Sequence, residues 1–253
     1  MESDPDLVPG IECLMEIIQM VPEKVSEECE VELRLGYIET DDELNINKFD
    51  SNAGEAYFGK VLETLHSFKK WNRVVENQRS TDYYANALRL TVEEDGSRTC
   101  IMKNRIRNID FTYDSTPFDI RISLSQEMPR NVSDFPTEER MITKTRHKTR
   151  TSFYFDFWSF DLTEVKTCCK ELESVSYEIE IELHDVHKAL REISGDRTVM
   201  WVAHGTLLKL RQLVFMCEDP SEEPSMIIMQ DKMVNKIVTT KRNLSFDETE
   251  EPL

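Results

Sequence analysis

Carboxylates recur at every second residue in two stretches of this chain, and cations do so in a third. Glu28, Glu30 and Glu32 alternate with Cys29, Val31 and Leu33; Glu178, Glu180 and Glu182 alternate with Ile179, Ile181 and Leu183; Arg146, Lys148 and Arg150 alternate with His147, Thr149 and Thr151. Side chains of a β-strand switch faces with a period of two, so each triplet lies on one face of its strand. Like charges stacked along a strand repel, and a solvated face ordinarily mixes signs so that cross-strand pairs attract. Any one row alone reads as the wet face of an amphipathic sheet. Together they suggest more: carboxylates converging from two strands suit a hard cation such as Mg²⁺ or Mn²⁺, and a facing wall of Arg and Lys suits a polyphosphate. Acid, base and metal combined are the parts of phosphate chemistry.

The elements that must present these rows follow from periodicity. A strand is expected at Glu28–Ile38, and from Arg73 to Leu183 strands dominate: Thr81–Tyr84, Ala87–Glu93, Thr99–Arg107, Asp119–Glu127, Thr145–Phe155, Phe157–Lys166 and Ser174–Leu183, a meander joined by short links. Asp119, Arg121, Ser123, Ser125 and Glu127 share one face of their strand, and Lys103, Arg105 and Arg107 share one face of theirs. A flat sheet would leave these rows in solvent, whereas a closed barrel would turn them inward with the apolar residues outside; enclosure accounts better for the segregated signs. Helical spacing marks Ile11–Val21, Tyr57–Phe68, Val186–Ile193 and Val199–Met216, while Asp41–Ala53 reads as polar loop. Residues 1–218 are expected to form one domain, with 219–253 a peripheral C-terminal tail or linker.

Composition sets limits. At 253 residues with 39% hydrophobic content the chain has enough material for a core, and 7 Gly and 9 Pro without repeats exclude a fibrous or disordered class. The formal net charge of −18 speaks against broad nucleic-acid binding and against double-stranded DNA, so an RNA substrate would be held only by a short end. Six cysteines without a CxxC pattern are expected to be reduced thiols of an intracellular protein, and neither a signal peptide nor a membrane helix is expected.

The acidic and basic segments also resemble a known family. Glu30-Val31-Glu32-Leu33-Arg34-Leu35-Gly36 is similar to the first glutamate motif of the metal-dependent RNA 5′-triphosphatases of fungi, protozoa and large DNA viruses, and Tyr177-Glu178-Ile179-Glu180-Ile181-Glu182-Leu183 resembles their second. Arg121–Pro129, Arg146–Phe153 and Phe160–Val165 resemble, in family order, its serine and glutamate strand, its basic strand and the strand that follows. The resemblance implies a triphosphate tunnel metalloenzyme, a mainly β (α+β) protein built on a closed eight-stranded antiparallel β-barrel with flanking helices. It implies release of the γ-phosphate from triphosphate-ended nascent RNA, the first step of mRNA cap formation, with Mg²⁺ or Mn²⁺ as cofactor. Glu30, Glu32 and Glu182 would be the metal-binding carboxylates; Arg89, Lys103, Arg146, Lys148 and Arg150 the phosphate wall; and Glu127, Glu178, Glu180, Asp82 and Asp161 the supporting acids. An RNA guanylyltransferase, fused or associated, would be the partner, in nucleus or cytoplasm, or in a viral factory or virion for a viral protein. Glu164 departs from the family pattern, standing where a basic residue can occur, and no fungal-type Trp- and Lys-rich docking peptide is found, since Lys69-Lys70-Trp71 ends a helix.

Two other readings stand beside this one: a tunnel hydrolase of inorganic tripolyphosphate, nucleotides or another small triphosphate, and a non-catalytic polyanion-binding scaffold of a capping complex. His184 and His187 around Asp185 lack further ligands for a zinc site and read as a surface turn. The aromatic run Phe153, Tyr154, Phe155, Phe157, Trp158 and Phe160 reads as shell packing.

Overall fold

The computed structural model describes residues 8–21, 28–41, 46–113, 118–169, 172–184, 199–215, 226–233 and 236–238. Three helices, α1 (Val8–Gln19), α2 (Glu55–Ser67) and α3 (Val199–Phe215), accompany strands β1 (Cys29–Thr40), β2 (Ile46–Asp50), β3 (Arg73–Ala85), β4 (Leu88–Glu93), β5 (Arg98–Tyr113), β6 (Asp119–Arg130), β7 (Lys144–Phe155), β8 (Trp158–Cys169), β9 (Leu172–Leu183), β10 (Met226–Met233) and β11 (Lys236–Val238). The helical stretch expected at Val186–Ile193 lies outside the described residues.

Eight strands close on themselves in the order β5-β4-β3-β7-β8-β9-β1-β6, with β6 returning to β5. Every pairing is antiparallel. The closed barrel anticipated from the alternating rows is therefore formed, and the flat alternative is excluded. Closure leaves each wall strand two faces of opposite character. The outward set, including Val31, Leu33 and Leu35 of β1, Ile120, Ile122 and Leu124 of β6, and Ile179 and Ile181 of β9, is buried in a core shared with Leu14, Ile17 and Ile18 of α1, Val61 and Leu65 of α2, and Leu207, Leu210 and Leu213 of α3. Each such side chain contributes about 1.5–3 kcal/mol when fully buried, so stability resides on the outside of the barrel.

Particular contacts fix the helices. Trp158 donates its indole N–H to Thr206 Oγ1 at 2.8 Å, and Gly205 lets α3 approach that ring, since a Cβ there would lie 3.3 Å from it. Lys209 Nζ sits 3.5 Å from the centre of a Trp158 ring. Trp71 donates to the Leu65 carbonyl at 2.7 Å and packs on Phe153 and Phe160. Phe153, Phe157, Trp158 and Phe160 are shell packing as expected, whereas Tyr154 falls on the face of β7 that carries Arg146, Lys148 and Arg150 and stacks on His184.

Three expectations are corrected. The stretch read as polar loop, Asp41–Ala53, contains β2, which pairs with the end of β1 at Tyr37–Thr40; its five residues are too short for their alternation to stand out. Strand β3 begins at Arg73, eight residues before the expected Thr81, because a bulge between Val75 and Gln78, with Asn77 at φ 54°, interrupts its period. A further bulge between Arg105 and Arg107 turns Arg107 out of the row it was expected to share with Lys103 and Arg105. Arg107 reaches Glu16 of α1 at 2.7 Å on the outside, and Asn108 takes the inward place opposite Ser123.

Beyond the barrel, β10 pairs with β5 from Met226↔Tyr113 to Met233↔Arg107, and β11 pairs with β10. Among the described residues no helix is long and apolar enough to cross a membrane. Among the described residues Cys29, Cys100, Cys168 and Cys169 are free thiols.

Gly36 tests how tightly β2 closes on β1. A Cβ there would collide with the Asp50 carbonyl oxygen and lie 2.8 Å from the Phe49 ring. Gly36→Ala should lower unfolding stability by roughly 1–3 kcal/mol, read as a fall in urea midpoint at unchanged slope.

Candidate active site in the barrel bore

Register determines which side chains meet inside. On β1 and β9, Glu32 faces Glu182 and Arg34 faces Glu180; on β8 and β9, Asp161 faces Glu180 and Thr163 faces Glu178; on β5 and β6, Lys103 faces Glu127. On β3 and β7, Asp82 faces Arg146 and Ser80 faces Lys148. All thirteen candidate residues thus project from the inner faces of wall strands, while Thr149, among the outward residues of β7, lines a shallow groove on the outer surface. Glu164 lies on that outer surface too, 3.6 Å from Lys166, so its departure from the family pattern leaves the phosphate wall untouched.

Charges of opposite sign are matched across the bore. Arg146 donates to both oxygens of Glu178 at 2.7 Å, and Lys148 meets Asp82 at 2.8 Å, with Thr91 also donating to Asp82 at 2.7 Å. Arg89 donates to Glu127 at 3.1 Å. Lys103 is held by Glu30, by Glu127 at 3.2 Å and by Glu32 at 3.7 Å, and Ser125 donates to Glu30 at 3.2 Å. Arg150 lies 3.7 Å from both Asp161 and Glu180 and donates to Thr163 at 3.0 Å. Periodicity alone had not singled out Arg34, which joins Glu32 at 2.9 Å to Glu180 at 2.7 Å, or the Arg121–Asp110 pair at 2.6 Å. The alternation that placed Glu30 and Glu32 inward applies equally to Arg34 and could have found it.

The carboxylates of facing strands are driven apart in acidity. Burial works against the charge of Glu180, but Arg34 and Arg150 outweigh it and hold this carboxyl down to about 2. Two residues on, burial together with Glu30 and Asp161 pushes Glu182 well above the usual carboxylate range. Burial, with Glu30 alongside, raises Glu32 as well despite Arg34. Glu180 is a fixed counter-ion, whereas Glu182 has more negative neighbours than cations to offset them, and burial opposes the charge of Glu32 despite Arg34 and Lys103. Asp161 Oδ1 is buried with no hydrogen-bond partner among the described residues. Surplus carboxylate charge and an orphaned buried oxygen are the donor chemistry that a hard divalent cation satisfies. No group of three His, Cys, Asp or Glu among the described residues is pre-arranged around one point, and Glu30 is turned toward Lys103 and Ser125, so loading a cation involves side-chain rotation. His184 stacks on Tyr154 and lies 3.6 Å from Glu182; Asp185 and His187 lie outside the described residues.

A closed antiparallel barrel whose bore carries facing rows of carboxylates and cations defines a triphosphate tunnel enzyme. The family described as mRNA capping enzyme, beta chain, matches residues 12–198, and this chain belongs to it. It is an RNA 5′-triphosphatase, a hydrolase of mRNA capping. The fold is shared with the S. pombe Pct1 RNA triphosphatase, at a TM-score of 0.68 and 18% identity over 85% of this chain and 94% of that one. The Mimivirus capping enzyme triphosphatase aligns with a TM-score of 0.50 and 15% identity over 80% and 97%. No curated protein matches the sequence. Tunnel-fold capping triphosphatases are metal-dependent in general.

The Asp82–Lys148 pair supplies a test by pH. Burial, with Arg150 and Arg89 nearby, draws the Lys148 ammonium below its ordinary value even though Asp82 supports it, while Lys148 and Thr91 overcome burial to hold Asp82 below its own. Asp82→Asn removes the supporting charge, so the ammonium loses its proton at lower pH. The alkaline limb of kcat/KM should move down by roughly one pH unit or more, the scale of one opposite charge at contact. An unmoved limb would take Lys148 out of the ionisations that govern turnover.

Proposed function

We propose that Glu30, Glu32 and Glu182 hold a divalent cation, Mg²⁺ or Mn²⁺, and that the γ-phosphate of triphosphate-ended RNA is released beside it. The observation that carries this reading is the contrast between Glu180, kept ionised by Arg34 and Arg150, and its facing neighbours: Glu182, raised by burial and by Glu30 and Asp161, and Glu32, raised by burial despite Arg34. When bound, the cation would supply Lewis-acid polarisation and charge neutralisation at phosphoryl oxygen.

The chain's own residues account for the remaining requirements. Arg89, Arg146 and Arg150 present planar forks, and Lys103 and Lys148 point charges, to phosphate oxygens on which negative charge grows as the β–γ bridge breaks. Glu127, Glu178, Glu180, Asp82 and Asp161 hold those cations in place, at the distances given above, so the wall is oriented before substrate arrives. An acid of this group also orients water toward phosphorus. The water oxygen bonds to the γ-phosphorus, the bond to the bridging oxygen breaks, and orthophosphate leaves a diphosphate-ended RNA, with no protein nucleophile required. Residues 1–218 act as the catalytic unit and 219–253 as a peripheral segment. A guanylyltransferase, fused or associated, takes the diphosphate end, in the nucleus, the cytoplasm or a viral factory.

The test offers γ-labelled triphosphate-ended RNA, ATP and tripolyphosphate to the purified chain with Mg²⁺, with Mn²⁺ and with EDTA. Labelled phosphate should leave RNA in either metal and stop on chelation; a strong preference for tripolyphosphate or ATP would favour the small-triphosphate reading instead. Glu30→Gln and Glu182→Gln should abolish turnover while retaining the fold, and Mn²⁺ with tripolyphosphate should raise the wild-type melting temperature by binding the folded state. Release that persists in EDTA would overturn the metal assignment. Lys148→Ala and Arg150→Ala should each cost roughly 10²-fold in kcat/KM, the scale of one transition-state donor. Outward Thr149→Ala should leave it nearly unchanged. Equal losses at all three positions would show that the inward face is assigned wrongly.

A further inference from the structure

Charge is distributed unevenly along the bore. At the end bounded by β2, the β3–β4 turn and the start of β7, a cavity of about 900 Å³ reaches inward as far as Glu32, Lys103 and Glu178. Eight of its lining residues are Arg or Lys and only three are Asp or Glu, in a chain of net charge −18. Glu182 and Asp161, further along β9 and β8 from this end, are not among its lining residues. The bore therefore has a basic mouth at this end.

Two of the eight cations differ from the rest. Arg34, Lys48, Arg89, Lys103, Arg121 and Arg146 each meet a carboxylate. Arg105 and Lys144 meet none within ion-pair distance among the described residues. Arg105 is exposed, and the Lys144 ammonium rests 4.3 Å from the centre of the Tyr84 ring. Burial, then Arg146 and Arg105, outweigh Glu178 and draw the Lys144 ammonium below its ordinary value. Neither Arg105 nor Lys144 is held at contact by a carboxylate among the described residues, so an arriving anion displaces no ion pair at either. The triphosphate itself is already served deeper in the bore by Arg89, Arg146, Lys148 and Arg150, so the rim pair is surplus to it.

Resting on the RNA triphosphatase reading above, we propose that Arg105 and Lys144 hold the first phosphodiesters of the RNA chain, which is drawn in through the mouth at β2 and the β3–β4 turn with its γ-phosphate directed toward Glu182. Tyr84, against which the Lys144 ammonium rests, and Phe49, which carries the Arg121 guanidinium, line the same mouth. A tripolyphosphate, having no chain beyond its third phosphate, has nothing for the rim pair to hold.

That difference is the test. In Arg105→Ala and Lys144→Ala, KM for triphosphate-ended RNA should rise about five-fold or more, with kcat within roughly two-fold, and the slope of log KM against log salt should fall by about 0.7 for each lost single-strand contact. Their kcat/KM ratio of RNA to tripolyphosphate should drop by a similar factor. Arg79→Glu, a charge reversal on the outer wall, should leave that ratio as it is. An equal loss on both substrates, no loss on RNA, or the same loss from Arg79→Glu would overturn the proposal. Wild type inactive on RNA but active on tripolyphosphate would instead refute the function. Anisotropy of a 3′-labelled, triphosphate-ended oligoribonucleotide in EDTA decides the rim independently of turnover: unchanged affinity in both alanine variants would sink it.

Discussion

Pairing of charge across the bore is the condition on which this barrel closes, because β7 and β9 each bring inward a row of one sign that could not be buried against its own kind. Arg34 bridges Glu32 and Glu180; Arg150 lies between Glu180 and Asp161; Lys148 answers Asp82; Arg146 answers Glu178. Buried pairs of this sort add little net stability over an apolar replacement, yet loss of one member typically costs 3–5 kcal/mol, since its partner is stranded. Stability comes from the opposite face, where apolar rows of the same strands lie under three helices. The alternation of a single strand thus serves two ends, packing outside and chemistry inside.

The same pairing is deliberately incomplete at one place. Cations are matched to Glu178, Glu180 and Asp82, whereas Glu182 has Glu30, Asp161 and Glu32 beside it against Arg150. An enclosed space with unequal compensation along its length has a direction, and a polyanion lying in it has a preferred orientation.

Much of this could be read from sequence because a closed barrel is the case in which period-two alternation is least disturbed. Every candidate acid and base lies on an inward face, since each belongs to an unbroken run of alternating residues. Where the run breaks, inference from sequence breaks as well. Arg107 follows Lys103 and Arg105 at the right spacing, but the bulge after Arg105 carries it outward to Glu16 and brings in Asn108. Strand β2 is five residues long and gains its order from pairing with β1 and from Asn52, whose side chain accepts from the backbone of Tyr177 and Gly54. Partners such as Arg34 and Glu180 are neighbours only after β9 and β1 have met, so their bond has no local signature.

A wall hydrogen-bonded around its whole circumference has no seam. A polymer therefore cannot be laid into the bore sideways, as into a cleft, and can only be threaded by a terminus. An interior phosphodiester, a circular strand or an end folded back into duplex is turned away by geometry before any side chain examines it. The barrel recognises that a chain begins, whatever letters it begins with, which is the discrimination needed by an enzyme that must treat every transcript alike and each only once.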